Sequence, residues 1–152
     1  MNNSSFKTIY QTILFSFLLL IITGSCGNKE QNNNTTLIKH AVLVDGHYMV
    51  LWEKSAIDAS EAILLVHGRT WSALPDFDLQ VAGEELSLMD GLVAAGYAVY
   101  AIDMRGYGET PRDETEWLTP DRAAKDLAIV VKWISEQKEW KIKPHLFGWS
   151  IG

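Results

Sequence analysis

The residues best suited to chemistry in this sequence stand at Gly148-Trp149-Ser150-Ile151-Gly152, a serine with a glycine two positions away on each side. That spacing suits a sharp strand-to-helix turn carrying an exposed nucleophile, because the serine backbone is strained and the neighbouring chain comes too close to tolerate a Cβ at either flank. The chemistry it offers is acyl transfer to a hydroxyl. A serine hydroxyl is a poor nucleophile at neutral pH, so it needs a histidine to take its proton, a carboxylate to orient that histidine, and N–H donors for the oxyanion.

Three other groups of residues bear on a site. His67-Gly68-Arg69 follows the apolar run Ala62–Val66, and a buried strand opening into a glycine loop is where an α/β sheet places its ligand site. His67 precedes the serine and adjoins a loop glycine, so its expected role is to orient the loop by hydrogen bonds rather than to act as base. Asp103-Met104-Arg105-Gly106-Tyr107-Gly108 lacks the third glycine of a dinucleotide loop, Pro111 standing in its place, so nucleotide binding is set aside. Asp103 and Arg105 read instead as a strand-end pair bracing loops by charge-assisted bonds. His40 and His47 have no Cys, Asp or Glu at ligand spacing and are expected in solvent or at a turn, so neither metal nor cofactor is expected.

The elements that must position these groups are legible in outline. Leu37–Val44 and His47–Trp52 flank Asp45-Gly46, a type I′ turn pair, and predict an antiparallel hairpin at a sheet edge. Ala62–Val66 and Tyr97–Ile102 are continuous apolar runs, as in strands covered on both faces. Leu86, Met89 and Val93 predict a helix over 84–95 with Gly96 as its C′ residue, although Gly91 inside it costs about 1 kcal/mol relative to alanine. Residues 113–118 read as a surface loop. Thr119-Pro120-Asp121 then opens a second helix, to about Gln137, that buries Leu127, Val131 and Ile134, with Ala123, Ala124 and Val130 widening the face. Pro144–Phe147 is the last strand, leading into the serine turn. Trp71, Phe77 and Trp117 are candidates to line a pocket near Ser150, with surface or core packing as the alternative for each.

The sequence of strand, His-Gly loop, helix, strand, Asp-x-Arg-Gly-x-Gly, helix, strand and Gly-x-Ser-x-Gly resembles the α/β-hydrolase superfamily over residues 37–152. The resemblance implies an α/β fold with a mostly parallel sheet, an N-terminal antiparallel hairpin, and an acyl-enzyme at Ser150. It also implies oxyanion donors in the backbone N–H groups of Ile151 and Arg69, and a packing role for Trp149. In that family the triad runs serine, acid, histidine, so the two partners of Ser150 are expected beyond Gly152 and the chain is expected to be the N-terminal part of a longer enzyme. The reactions implied are ester, thioester or amide hydrolysis of a small-molecule or peptide substrate. A non-catalytic binding lipoprotein retaining the hydrolase shell is the alternative.

Residues 1–25 stand apart. Lys7 is their only charge, and the run Ile13–Ile22 fits a secretory signal core but is too short for a permanent membrane span. Ile22-Thr23-Gly24-Ser25-Cys26 resembles the lipobox of bacterial lipoproteins, which implies cleavage before Cys26, a lipid on its sulfur, and a membrane-anchored protein of the bacterial cell envelope. Cys26 is the only cysteine and has no internal disulfide partner. Gly27–Thr36 contains no apolar residue and reads with Cys26 as a tether, its flexible residues spanning roughly 17 Å root-mean-square. The remaining domain, in a chain of 152 residues that is 47% hydrophobic and 21% charged, has the make-up of one globular unit. A net charge of −6 without a basic, aromatic-interleaved patch gives no footing for nucleic acid.

Overall fold

The computed structural model describes residues 35–115 and 117–150. The expected signal peptide, Cys26 and most of the tether lie outside the described residues, as does Ile151.

Among the described residues eight elements follow in chain order: β1 (Ile38–Val44), β2 (His47–Ser55), β3 (Ala62–Val66), α1 (Ala73–Phe77), α2 (Leu88–Ala94), β4 (Ala98–Ile102), α3 (Pro120–Ser135) and β5 (His145–Gly148). The strands form one mixed sheet in the order β1-β2-β4-β3-β5. The hairpin β1-β2 is antiparallel with Val44 opposite His47, β2 runs antiparallel to β4, and β3 lies parallel to both β4 and β5. Asp45 and Gly46 both take positive φ, 49° and 76°, as a type I′ turn demands.

Strand alternation distributes the apolar residues over both faces. Val42, Val44, Leu51, Leu64, Tyr100 and Ile102 meet Val130 and Ile134 of α3 on one side. Val50, Trp52, Leu65, Val99 and Ala101 meet Ala73 and Phe77 of α1 and Met89 and Val93 of α2 on the other. Strands buried on both faces cannot alternate in polarity, which is why β3 and β4 read as unbroken apolar runs.

Helix ends follow local chemistry. Thr119 accepts from the Arg122 N–H at 3.3 Å with Pro120 opening α3. At the end of α2, Gly96 N–H donates to Val93 C=O and Tyr97 N–H to Leu92 C=O with Gly96 at φ 97°, a Schellman closure. The helix expected over 84–95 begins only at Leu88. Ser87 caps it by accepting from Asp90 N–H at 3.0 Å, and the preceding residues form a turn bridged from Val81 to Glu84 around Gly83 at φ 85°. The short helix α1 has no counterpart in the sequence reading.

One polar cluster joins the second face. Lys54, on β2, is buried and donates to Asp78 at 2.6 Å and to Asp90 of α2 at 2.7 Å. Burial works against the lysine's charge, but the bonds to Asp78 and Asp90 outweigh it and its pKa is raised. Burial likewise works against the Asp90 charge, and the bonds from Lys54, Gln80 and Ser87 outweigh it, so the Asp90 pKa is lowered. These contacts tie α2 and the end of α1 to the sheet on the side away from α3.

Candidate active site

β5 pairs with β3 so that Val66 stands opposite Gly148, which brings the serine turn beside the loop that follows β3. Trp149 N–H donates to Val66 C=O at 3.1 Å, fixing the start of the turn to the neighbouring strand end. Ser150 is exposed and has φ 60°. A non-glycine residue in the left-handed region is held there by its surroundings, and such strain concentrates at functional positions.

Gly68 stands directly against this serine. An ideal Cβ on Gly68 would lie 2.9 Å from Ser150 Cβ and 3.0 Å from Trp149 Cδ1, so only glycine lets the two loops approach this closely. Trp149 covers Gly68 with its ring edge while remaining 56% exposed. Arg69 follows, exposed, and Thr70 has φ 78°. Arg69 thus stands on the loop that abuts Ser150.

His67 does what its position suggests. It is 3% exposed, its Nε2 accepts from Met104 N–H at 3.1 Å, and its Nδ1 lies 2.8 Å from Gly68 C=O. A carbonyl can only accept, so Nδ1 carries the proton and Nε2 offers its lone pair to the Met104 amide. With both nitrogens occupied and Tyr107 against the ring at 5.1 Å, His67 is a fixed strut between the ends of β3 and β4.

Asp103 and Arg105 are the braces expected of them. Asp103, 2% exposed, accepts from Ala73 N–H at 2.8 Å, Trp52 Nε1 at 3.0 Å and Glu109 N–H at 3.0 Å. Gly108, at φ 53°, leaves the room for that carboxylate: an ideal Cβ there would fall 2.3 Å from Asp103 Cγ. Arg105 is 5% exposed and grips Asp126 of α3 through Nε and Nη2 at 2.7 and 2.9 Å. It also donates to Val44 C=O and Asp113. The Asp126 hydrogen bonds hold the Arg105 pKa above its ordinary value, and the hydroxyl of Thr115, with Arg122 and Arg105, holds Asp113 below its own. The sequence reading missed Asp126 as a buried partner, and it took 113–118 for a plain surface loop although Asp113 receives both Arg105 and Arg122.

The remaining histidines stand elsewhere. His40 is half-buried against Trp133 and 2.7 Å from Glu53, not solvent-facing as expected; His47 meets Pro111 C=O; His145 meets Glu61 at the opposite end of β5 from the serine. Among the described residues no histidine hydrogen-bonds Ser150. Of the pocket candidates, Phe77 is core, while Trp71 joins it and Trp149 in an open groove and Trp117 lines a cavity next to Arg69. Among the described residues no cluster of three or more His, Cys, Asp or Glu could hold a metal.

Comparison with known proteins agrees with the fold. Solved structures similar in fold include an epoxide hydrolase from Vigna radiata, 21% identical with TM-score 0.58, covering 76% of this chain and 31% of that one. A predicted CIB-like hydrolase from Thermoplasma acidophilum is 20% identical with TM-score 0.59, over 78% of this chain and 53% of its own. The thioesterase domain from the curacin biosynthetic pathway is 20% identical with TM-score 0.56, over 77% and 36%. The chain therefore spans between about a third and about a half of the length of these structures. A search of curated protein sequences returns no match. The family model described as serine aminopeptidase, S33, matches residues 58–152, well over half of the chain, from the segment before β3 to the serine turn. With its sheet order and its Gly-x-Ser-x-Gly turn set against a His-Gly loop, the chain belongs to the serine aminopeptidase S33 family of α/β-hydrolases.

Proposed function

We propose that Ser150 is the nucleophile of a serine hydrolase acting on esters, thioesters or amides. The observation that carries this is the conformation of the serine itself: exposed, at φ 60°, with Gly68 pressed against its Cβ. Its Oγ attacks the substrate carbonyl, the leaving group departs with the proton taken from Oγ, and water then releases the acyl group. The Arg69 and Ile151 backbone N–H groups serve the oxyanion, each worth about 3 kcal/mol in comparable sites. His67 has no free nitrogen for the proton transfer. The histidine and its orienting acid are assigned to residues following Gly152, in keeping with the share of the similar structures that this chain spans.

The test is labelling of the protein, expressed from its complete reading frame, by a fluorophosphonate. Ser150→Ala is expected to abolish labelling while leaving the fold intact, and labelling that survives the substitution refutes the assignment. We further propose that residues 1–25 are a cleaved signal and that Cys26 carries lipid, with 26–36 tethering the domain to the cell envelope. The composition of residues 1–36 supports this. Mass spectrometry of the mature amino terminus tests it, and an unmodified Met1 peptide overturns it.

A further inference from the structure

Beside the His-Gly loop lies a cavity of about 470 Å³ whose walls include Arg69, Arg105, Tyr107, Arg112, Asp113 and Trp117. Its charges do not balance. Arg105 is spent on Asp126 and Asp113, and Asp113 is shared between Arg105 and Arg122. Those four groups neutralise one another. Among the described residues Arg69 and Arg112 make no ion pair and no hydrogen bond, and with Arg105 they place three guanidinium groups against one carboxylate in the wall of this cavity. Arg112 is also seated: an ideal Cβ on Gly106, at φ 79°, would lie 2.8 Å from Arg112 Cγ, so the glycine makes the notch in which the arginine stem rests. Tyr107 and the 76% exposed Trp117 supply flat apolar wall.

We propose that this cavity is the subsite for an anionic group of the substrate, a carboxylate or a phosphate, held by Arg69 and Arg112. A guanidinium presents its N–H groups as a planar fork matching either oxyanion, and guanidinium groups beside aromatic walls are suited to an anionic ligand with an apolar stem. Arg69, in the wall of the cavity, adjoins Gly68, which stands against Ser150, so the cavity and the serine turn meet the same loop. The catalytic meaning of the subsite rests on Ser150 being that nucleophile, whereas its anion binding does not.

The experiment separates the two. Glutarate and inorganic phosphate are titrated by calorimetry at low ionic strength into the full chain as wild type and as Arg112→Gln, Arg112→Lys and Ser150→Ala. At least one anion is expected to bind, a carboxylate-bearing substrate being indicated by glutarate and a phosphate-bearing one by phosphate. Arg112→Gln is expected to weaken binding about tenfold or more, and Arg112→Lys less, because a point charge survives without the fork. Ser150→Ala is expected to bind as wild type, so an unreactive serine with retained binding condemns the nucleophile and leaves the subsite standing. In the active protein, Arg112→Gln should lower the ratio of 4-nitrophenyl monoglutarate to 4-nitrophenyl butyrate hydrolysis by a similar factor. Failure of both anions to bind the wild type overturns the proposal, and so does undiminished binding by a folded Arg112→Gln protein.

Discussion

Replacing Gly68 by alanine is the sharpest test of how the serine turn is seated. The added Cβ would stand 2.9 Å from Ser150 Cβ, 3.0 Å from Trp149 Cδ1 and 3.3 Å from Trp149 Nε1. Carbon atoms in good contact lie about 3.5–4.0 Å apart, so the loops must part by roughly 0.5–1 Å. Neither side yields freely. Ser150 Cβ is fixed to a backbone in the left-handed region, Trp149 N–H is bonded to Val66 C=O, and Gly68 is held by Asp76 through its N–H and by His67 through its C=O. Overpacking of this kind costs about 1–3 kcal/mol in stability, and a displacement near 1 Å at a reacting group can cost up to about 100-fold in rate. The assay is the second-order rate of fluorophosphonate labelling at Ser150, measured beside a thermal melt by circular dichroism. Labelling should slow by roughly 10- to 100-fold while the melting temperature falls by roughly 3–15 °C. Labelling at the wild-type rate with an unchanged melt would refute the close seating of Gly68 on Ser150.

Gly91→Ala is the matching control, since its Cβ would meet nothing within 4 Å inside α2, and denaturant unfolding should show a gain of up to about 1 kcal/mol. Asp103→Ala strands the buried donors of Ala73 and Trp52 and the part-buried N–H of Glu109, and unfolding should show a loss of about 3–5 kcal/mol. Lys54→Met leaves the buried Asp78 without its cation and should cost about 3–5 kcal/mol near neutral pH. Because the Asp90 pKa is lowered by folding, its contribution is present above the ordinary value of 3.8 and is lost as pH falls through the folded value, so the deficit of Lys54→Met should shrink in acid melts. The raised Lys54 pKa acts at the other end: its contribution is complete below 10.5 and is lost as pH rises through the folded value, so the same deficit should shrink in strong alkali.

What could be read from the chain was whatever a few adjacent residues decide. Asp45-Gly46 set the hairpin, Gly96 closed α2, Thr119-Pro120 opened α3, and the unbroken apolar runs marked β3 and β4. The helix α1 escaped notice because nothing local calls for it. Pro75 stands within its five residues, and Ser72 makes no side-chain cap. Its start is fixed instead by Asp103, remote in sequence, receiving the Ala73 N–H, and its register by burial of Ala73 and Phe77. The buried face of α3 is expected at Leu127, Val131 and Ile134, widened by Ala123, Ala124 and Val130; Val130 and Ile134 are buried, Leu127 and Val131 only partly covered, and the third buried position is the unexpected Asp126. An aspartate on the inward face cannot be foreseen from apolar periodicity, because the reason for it is Arg105 arriving from another element.

The site shows the same division between local and distant causes. Asp103 and Arg105 are two residues apart, and along a straight strand both would face one side of the sheet. Asp103 does join Trp52 and Ala73 on the side of α1 and α2, but Arg105 reaches Asp126 on α3, across the sheet. The turn that starts at Met104, with Tyr107 N–H on Met104 C=O and Gly106 at φ 79°, swings the arginine over. Between them, Met104 N–H anchors His67. Three successive residues at the end of β4 thus secure one layer of helices, the His-Gly loop and the other layer in turn. The motif looks like a catalytic constellation because its charges are conspicuous, yet Asp103 is consumed by the Ala73 and Glu109 N–H groups and the Trp52 indole, and Arg105 by Asp126, Asp113 and the Val44 C=O. A rim held this rigidly keeps Gly68 at one distance from Ser150, which is what allows a strained serine to stay exposed rather than relax into the sheet.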